Sequence, residues 1–215
     1  KEAVLYAYSK GLKLSLVSNG IDLEKIPKDV LSLFTWIRIS VQSANYARKI
    51  KMDWIPDNVK KSMSFIVNNK EAIAELEQLY DYVEETNMIV RVAPMRPATE
   101  EWELEVQKAT QKYGEPFLFF TKPRGAPLGC YMAWFRAAIN WEGDFLPCPS
   151  IELSPEHFGG IPKSYSICKI SELEKWINEN PIYDLGHRCS FCNCGKDIND
   201  YVHLLLQETE DIDFV

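Results

Sequence analysis
The sequence predicts an α/β domain followed by a smaller α+β region. Three observations carry that reading. Strand-like and helix-like runs alternate through the first 94 residues, a Pro- and Gly-rich stretch interrupts them, and all six cysteines fall after residue 129. Such alternation is the mark of parallel β/α units, in which each helix carries the chain back to start the next strand. With 215 residues and 46% apolar content, the chain can bury a core in one large domain or in two small ones.

The elements read in order. "LKLSLVSNG" (12–20) is a β-rich run that ends in an Asn-Gly turn, and "DLEKIPKDVLSLF" (22–34) follows with helical spacing. "TWIRISVQ" (35–42) is the next strand, with Ile37, Ile39 and Val41 alternating against Trp36, Arg38 and Ser40. "SANYARKIK" (43–51) reads as helix and "KKSMSFIVNN" (60–69) as the third strand. "KEAIAELEQLYDYVEET" (70–86) is the clearest amphipathic helix, with Ile73, Leu76, Leu79, Tyr80 and Val83 on one stripe. "MIVRVAP" (88–94) is the fourth strand. Four units are too few to close an eight-stranded barrel, and they leave an open sheet edge. Residues 1–11 supply only the end of a helix ahead of the first strand. Together with a first residue other than Met, this sets the expectation that an N-terminal part is missing.

Beyond residue 95 the character changes. "RPATEEWELEVQKATQKYG" (96–114) offers a polar helix, and "EPFLFFTKPRGAPLG" (115–129), with three prolines and two glycines, reads as a connection. "CYMAWFRAAINWEGDFLPCP" (130–149) reads as a β-hairpin: Tyr131 to Asn140 as one strand, Trp141 to Asp144 as the turn, Phe145 to Cys148 as the return. "SELEKWINEN" (171–180) is a short helix starting from Ser171 as N-cap, with Glu174 at the capping-box position and Pro181 beyond its end. "INDYVHLLLQ" (198–207) is a final helix, and "ETEDIDFV" (208–215) an acidic, frayed tail. The expected division is a β/α part over 1–98, a linker helix and connection over 99–128, a cysteine-bearing domain over 129–205 and a tail over 206–215.

The formal net charge is −7, with acids and bases interspersed. That argues against nucleic acid as a partner, which would call for a basic stripe. No apolar run approaches a membrane span, and no signal peptide is readable. Cysteines without a secretory leader or a small loop-rich frame point to a reducing, cytoplasmic setting, and so to metal before disulfide.

The cysteines are Cys130, Cys148, Cys168, Cys189, Cys192 and Cys194. Cys130 and Cys148 stand at the two ends of the expected hairpin, which places their sulfurs near one another. Cys189-Ser-Phe-Cys192 is a two-residue turn that brings both sulfurs to one side, as a shared metal or a redox pair requires. Two ligands from each make a four-cysteine site, which suits Zn²⁺ and an Fe–S cluster about equally. Cys168, next to a helical segment, reads as a small buried apolar residue. Cys194 is either a substitute ligand or a lining of the loop. His187 reads as a neighbour of that loop rather than a ligand.

At this point both halves resemble one family, the radical S-adenosylmethionine (SAM) enzymes that carry a "twitch" auxiliary-cluster domain, a shortened relative of the SPASM domain. The resemblance spans nearly all of residues 1–205. "LSLVSNG" (14–20) is similar to the family's third barrel strand, which commonly ends Thr-Asn-Gly, and "WIRISVQS" (36–43) to its fourth, often Ile-Arg-Ile-Ser-Leu-Asp. "SFIVNN" (64–69) and "IVRVAPM" (89–95) match the fifth and sixth. The order Cys-x17-Cys followed by Cys-x2-Cys, with "NWEGDFLPC" as hairpin turn and return, resembles the twitch pattern. Each strand motif is degenerate by itself; four in order ahead of a cysteine hairpin are far more specific. There are departures. The CxxxCxxC loop and the Gly-Gly-Glu segment of the family are absent, Gln42 stands where Asp is frequent, and Ser18 stands where Thr is usual.

The resemblance implies a partial (β/α)6 barrel, represented by its strands three to six, followed by a small α+β domain. It implies a [4Fe–4S] cluster on Cys130, Cys148, Cys189 and Cys192, accepting an electron from a substrate radical or anchoring the substrate. It places Ser40 on the SAM ribose or carboxylate, Asn19 in the same cavity and Asn68 at its rim, with Arg38 able to pair with SAM or substrate. Each has a plain structural alternative: a strand edge for Ser40, a turn for Asn19, a surface ion pair for Arg38. Phe191 and Trp134 are either shields of the cluster or ordinary core. The chain as given is not expected to cleave SAM; its parent protein is, with a small-molecule or peptide substrate and a flavodoxin or ferredoxin as reductant. Two other classes remain open at this stage, a structural zinc module on a β/α binding domain and an iron–sulfur electron carrier.

Overall fold
The computed structural model describes residues 1–86, 88–95, 98–121, 128–135, 137–149, 166–179 and 196–208. The chain divides into two compact units, Lys1–Thr121 and Lys122–Val215.

The first unit is α/β. Helix α1 (Glu2–Ser9) leads into strand β1 (Leu14–Ser18). A 3₁₀ turn (Leu23–Lys25) and a short helix α2 (Lys28–Leu31) precede β2 (Phe34–Val41). Then come α3 (Ala44–Lys49), a 3₁₀ turn (Met52–Trp54), β3 (Lys60–Val67), α4 (Lys70–Thr86), β4 (Ile89–Pro94), α5 (Glu100–Gln111) and β5 (Phe117–Phe119). All four strand pairs are parallel, and spatial order follows chain order, β1-β2-β3-β4-β5. The α/β class and four of the strands are as the sequence predicts. A partial barrel is a finer statement than the topology makes.

The register sorts the strand residues into two faces. Ile37, Ile39 and Val41 of β2, Met63, Phe65 and Val67 of β3, and Val90 and Val92 of β4 are all buried. Leu76, Leu79 and Val83 from the apolar stripe of α4 and Val106 of α5 join them in one cluster. Side-chain caps start the helices: Ser43 Oγ accepts from Tyr46 N at 3.1 Å, Asn69 Oδ1 from Ala72 N at 2.8 Å, and Thr99 Oγ1 from Trp102 N at 3.2 Å. Glu75 Oε2 accepts from Ala44 N at 3.1 Å and so ties α4 to the first turn of α3.

Three local expectations are corrected. The stretch 22–34 is two short pieces rather than one helix: Pro27 has no N–H to donate, and Ile26 before it is extended at φ −87°, ψ 123°. Within the stretch read as a connection, Phe117–Phe119 is a fifth strand, held by a ring trio. Tyr80 lies 5.2 Å from Tyr113 and 5.8 Å from Phe117 between centroids, and Tyr113 lies 5.7 Å from Phe117. In the second unit, the long hairpin strand from Tyr131 is broken. Helix α6 (Met132–Phe135) occupies its first part, and β6 is only Ala138–Ile139. "YMAWF" is continuously apolar rather than alternating, so it has no two-residue period to hold it extended.

The hairpin itself forms, with β7 (Asp144–Leu146) pairing Ala138 to Leu146 and Ile139 to Phe145. Strand β8 (Cys168–Lys169) adds antiparallel to β7, so Cys168 sits on a strand. A 3₁₀ turn (Ile170–Glu172) runs into α7 (Leu173–Glu179), and Glu172 rather than Glu174 reaches back, accepting from Lys169 N at 3.2 Å. Helix α8 (Lys196–Glu208) ends the described chain. No helix among the described residues is long and apolar enough to cross a membrane.

Phe117→Ala separates a strand from a connection. Deleting a buried ring of a packed trio should cost about 3–5 kcal/mol, against about 0.5 kcal/mol or less for an exposed connector residue. Chemical denaturation of the variant measures this.

Candidate functional site
Among the described residues of this unit, the helices leave the other face of the parallel sheet bare. Along the register, Val17, Arg38, Ser62 and Ile89 form one row, and Ser40, Ser64, Arg91 and Leu118 the next. Val17, Ile66, Ile89 and Leu118 are each about half exposed, and Ser40 is exposed. Parallel sheets are ordinarily covered on both faces. A bare face carrying polar side chains is therefore the notable surface of this unit.

Two of the sequence-predicted residues come together there. Arg38 and Ser40 lie on the bare side of β2. Ser40 Oγ is 3.3 Å from Ser64 Oγ, on the neighbouring strand. The Arg38 guanidinium carbon is 4.9 Å from the Trp36 ring centroid. Arg38 Nε is buried without a hydrogen-bond partner among the described residues.

Asn19 and Asn68 lie instead just past the C-terminal ends of β1 and β3. Asn19 serves a turn: its Oδ1 accepts from Ile21 N at 3.0 Å and its carbonyl accepts from Tyr46 Oη at 2.8 Å. The next residue, Gly20, has φ +79°, and a Cβ there would stand 3.0 Å from Ile50 and 3.1 Å from Ile39. Asn68 is exposed and lines a cavity of about 610 Å³ with Asn69, Lys70, Glu71, Met95 and Trp102, where the N-termini of α4 and α5 meet the sheet's C-terminal edge. That edge is where open α/β sheets and β/α barrels bind ligands.

The sequence reading missed Arg91. It shares the bare face, its Cα partner is Ser64, and its guanidinium carbon lies 3.5 Å from the Phe120 ring centroid. The signal was available: "IVRVAP" alternates, and Arg91 takes the position opposite to the buried Val90 and Val92.

In the second unit, Cys130 is half-buried and Cys148 is buried. Cys189, Cys192 and Cys194, with His187 and Phe191, lie outside the described residues. Among the described residues, no group of three or more His, Cys, Asp or Glu side chains is placed to hold a metal. Helix α8 fixes the chain around Cys130. Asp200 Oδ1 accepts from Leu128 N at 2.7 Å, and the fully buried Asn199 accepts from Tyr131 N at 2.8 Å through Oδ1. Tyr131 Oη lies 3.0 Å from His203 Nδ1. Trp134 stacks on Trp176 at 5.3 Å, and Phe145 packs on Trp176 at 5.5 Å. Among the described residues, the buried Trp134 Nε1 donates to nothing. Burial, with a smaller push from Glu172, raises the Cys168 thiol above its ordinary range, which suits a structural rather than a reactive cysteine.

No family model, curated protein or solved structure matches the chain.

Two outcomes are expected from α8. Asn199→Ala strands a buried backbone N–H and should destabilise the protein by about 1–3 kcal/mol in denaturant titration. The hydrogen bond from Lys196, then that from Leu128 N, lowers the Asp200 carboxyl below its usual value of 3.8. A carboxylate depressed by folding stabilises above its unfolded pKa and loses that contribution as pH falls through the folded one. Asp200→Asn should therefore narrow the stability difference between neutral and acid solution, as thermal melts across that range would record.

Proposed function
We propose that the first unit is the sheet of a radical SAM enzyme's half-barrel and the second its auxiliary [4Fe–4S] domain. The observation that carries the reading is the one-sided cover of the parallel sheet. A sheet that curls toward a barrel keeps its helices outside and its polar, ligand-facing side chains within. Arg38, Ser40, Ser64 and Arg91 share that uncovered side. The order of the four strand motifs ahead of a cysteine hairpin supports the same reading.

The roles follow from position. Ser40 would take the ribose or carboxylate of SAM, and Arg38 would pair with SAM or with substrate. Asn19, engaged in its turn, would line the same end of the sheet through its backbone, and Asn68 would line the adjoining cavity. Cys130, Cys148, Cys189 and Cys192 would hold the auxiliary cluster, which supplies one-electron transfer when bound. Trp134, Trp176 and Phe145 would exclude water from it. Asn199 would fix the backbone beside Cys130, and the Trp134 indole N–H would donate toward a cluster sulfur. The substrate would be a small molecule or a peptide, and the reductant a flavodoxin or ferredoxin.

Anaerobic reconstitution of the whole chain with iron and sulfide tests the ligand set. The expected result is a brown protein with matching iron and acid-labile sulfide, lost in both Cys148→Ser and Cys189→Ser. Unchanged iron and sulfide in Cys189→Ser would sink the assignment. A colourless, zinc-bearing protein without sulfide would replace the cluster by a structural zinc module.

A further inference from the structure
The charge on the bare sheet face is at odds with the rest of the protein. The chain carries 31 acidic and 24 basic residues, yet none of the acidic residues falls on any of the five strands. The bare face holds Arg38 and Arg91, with Lys60 at the start of β3. Between the arginines lie Ser62 and Ser64, with Ser40 paired across to Ser64. Arg38 has no carboxylate partner among the described residues, and its Nε is buried without an acceptor. An anion that reached this Nε would satisfy a donor the protein leaves unpaired.

Both guanidiniums rest against rings, Arg38 on Trp36 and Arg91 on Phe120. Stacking restrains the planar group and lowers the ordering entropy that binding would otherwise cost. In the sheet, Arg38 and Arg91 are two strands and two residues apart, so their Cα atoms are separated by roughly 12 Å. A single carboxylate presents its two oxygens to one arginine fork. Two arginines flanking a strip of hydroxyls call for a group with more acceptor oxygens, spread over a greater length.

We propose that this face seats the phosphate or diphosphate group of a small-molecule substrate, with Arg38 and Arg91 as its two cationic walls and Ser62 and Ser64 as hydroxyl donors along its floor. This inference rests on the reading of the bare face as the inside of a half-barrel, and it narrows the substrate class from any small molecule or peptide to a phosphorylated small molecule.

The test is calorimetric titration of the whole chain with inorganic pyrophosphate, inorganic phosphate and acetate at low ionic strength, where charge contacts are least screened. Pyrophosphate should bind more tightly than phosphate, and acetate least. Arg38→Gln and Arg91→Gln should each weaken pyrophosphate roughly tenfold or more. Arg38→Lys keeps the charge but loses the fork, and should fall between wild type and Arg38→Gln. Lys108→Gln, on the exposed side of α5, should bind pyrophosphate as wild type does. Far-UV circular dichroism and melting temperature of each variant identify any that fail to fold; the remaining variants and the three-ligand order in wild type still decide the matter. Acetate binding as tightly as pyrophosphate, or equal affinity in wild type, Arg38→Gln and Arg91→Gln, would overturn the seat. Cluster assembly without pyrophosphate binding sinks the seat alone. Arginine-dependent pyrophosphate binding without cluster assembly sinks the radical-enzyme reading alone.

Discussion

Parallel pairing between consecutive strands sets what the rest of the first unit can be. Two parallel strands cannot be joined by a tight turn, so the chain must cross over between them, and such crossovers have one prevailing hand. When the strands also lie in sequential order, every crossover falls on the same side. The buried positions obey this: Ile37, Ile39, Met63, Phe65, Val90 and Val92 meet α4 and α5, while their strand neighbours do not. The bare face is thus a product of topology. Covering it with apolar side chains would leave a large exposed hydrophobic surface. The serines and arginines keep it compatible with water and make it able to bind polar ligands.

The second unit depends on a different economy. Among the described residues, its antiparallel sheet is three short strands, and fewer apolar side chains are buried than in the first unit. Specific polar contacts take a larger share. Asp144, buried on β7, pairs with Lys169 of β8 at 2.5 Å, and Asn140 Oδ1 accepts from Asp144 N and Glu142 N to shape the hairpin turn. Asn199 and Asp200 act on residues 128–131 in the same manner.

What was legible in the sequence follows from period and length. The α/β class, strands β1 to β4 and the long helix α4 all repeat their pattern for five residues or more, so solvent and core sort them without help from distant chain. Phe117–Phe119 is too short to show a period, and it becomes a strand only because Tyr80 and Tyr113 wait for Phe117. Met132–Phe135 has no alternation at all. At the candidate site, Ser40 and Arg38 were legible because one strand carries both. Arg91 was legible as a residue of the uncovered face but not as a neighbour of Ser64, since register is a property of two segments. Asn19 was legible as a turn, and its side chain is engaged there. Of the cysteine set, Cys130 and Cys148 belong to the described part of the second unit, and Cys189 and Cys192 lie outside the described residues.

The contacts that α8 makes also bear on the order in which the protein is made. Asp200 reaches Leu128 across 72 residues, Asn199 reaches Tyr131 across 68, and His203 reaches Tyr131 across 72. In the first unit, by contrast, each strand pairs with the next in the chain. A ribosome delivers the partners of the sheet as consecutive neighbours, but it delivers α8 well after the residues around Cys130 that it holds. The first unit can therefore consolidate during synthesis, while the segment around Cys130 waits for α8 before its backbone is satisfied. Until then its thiols are presented by an unfinished structure, and any metal or cluster delivered to them meets a chain that is still being held open by its own topology.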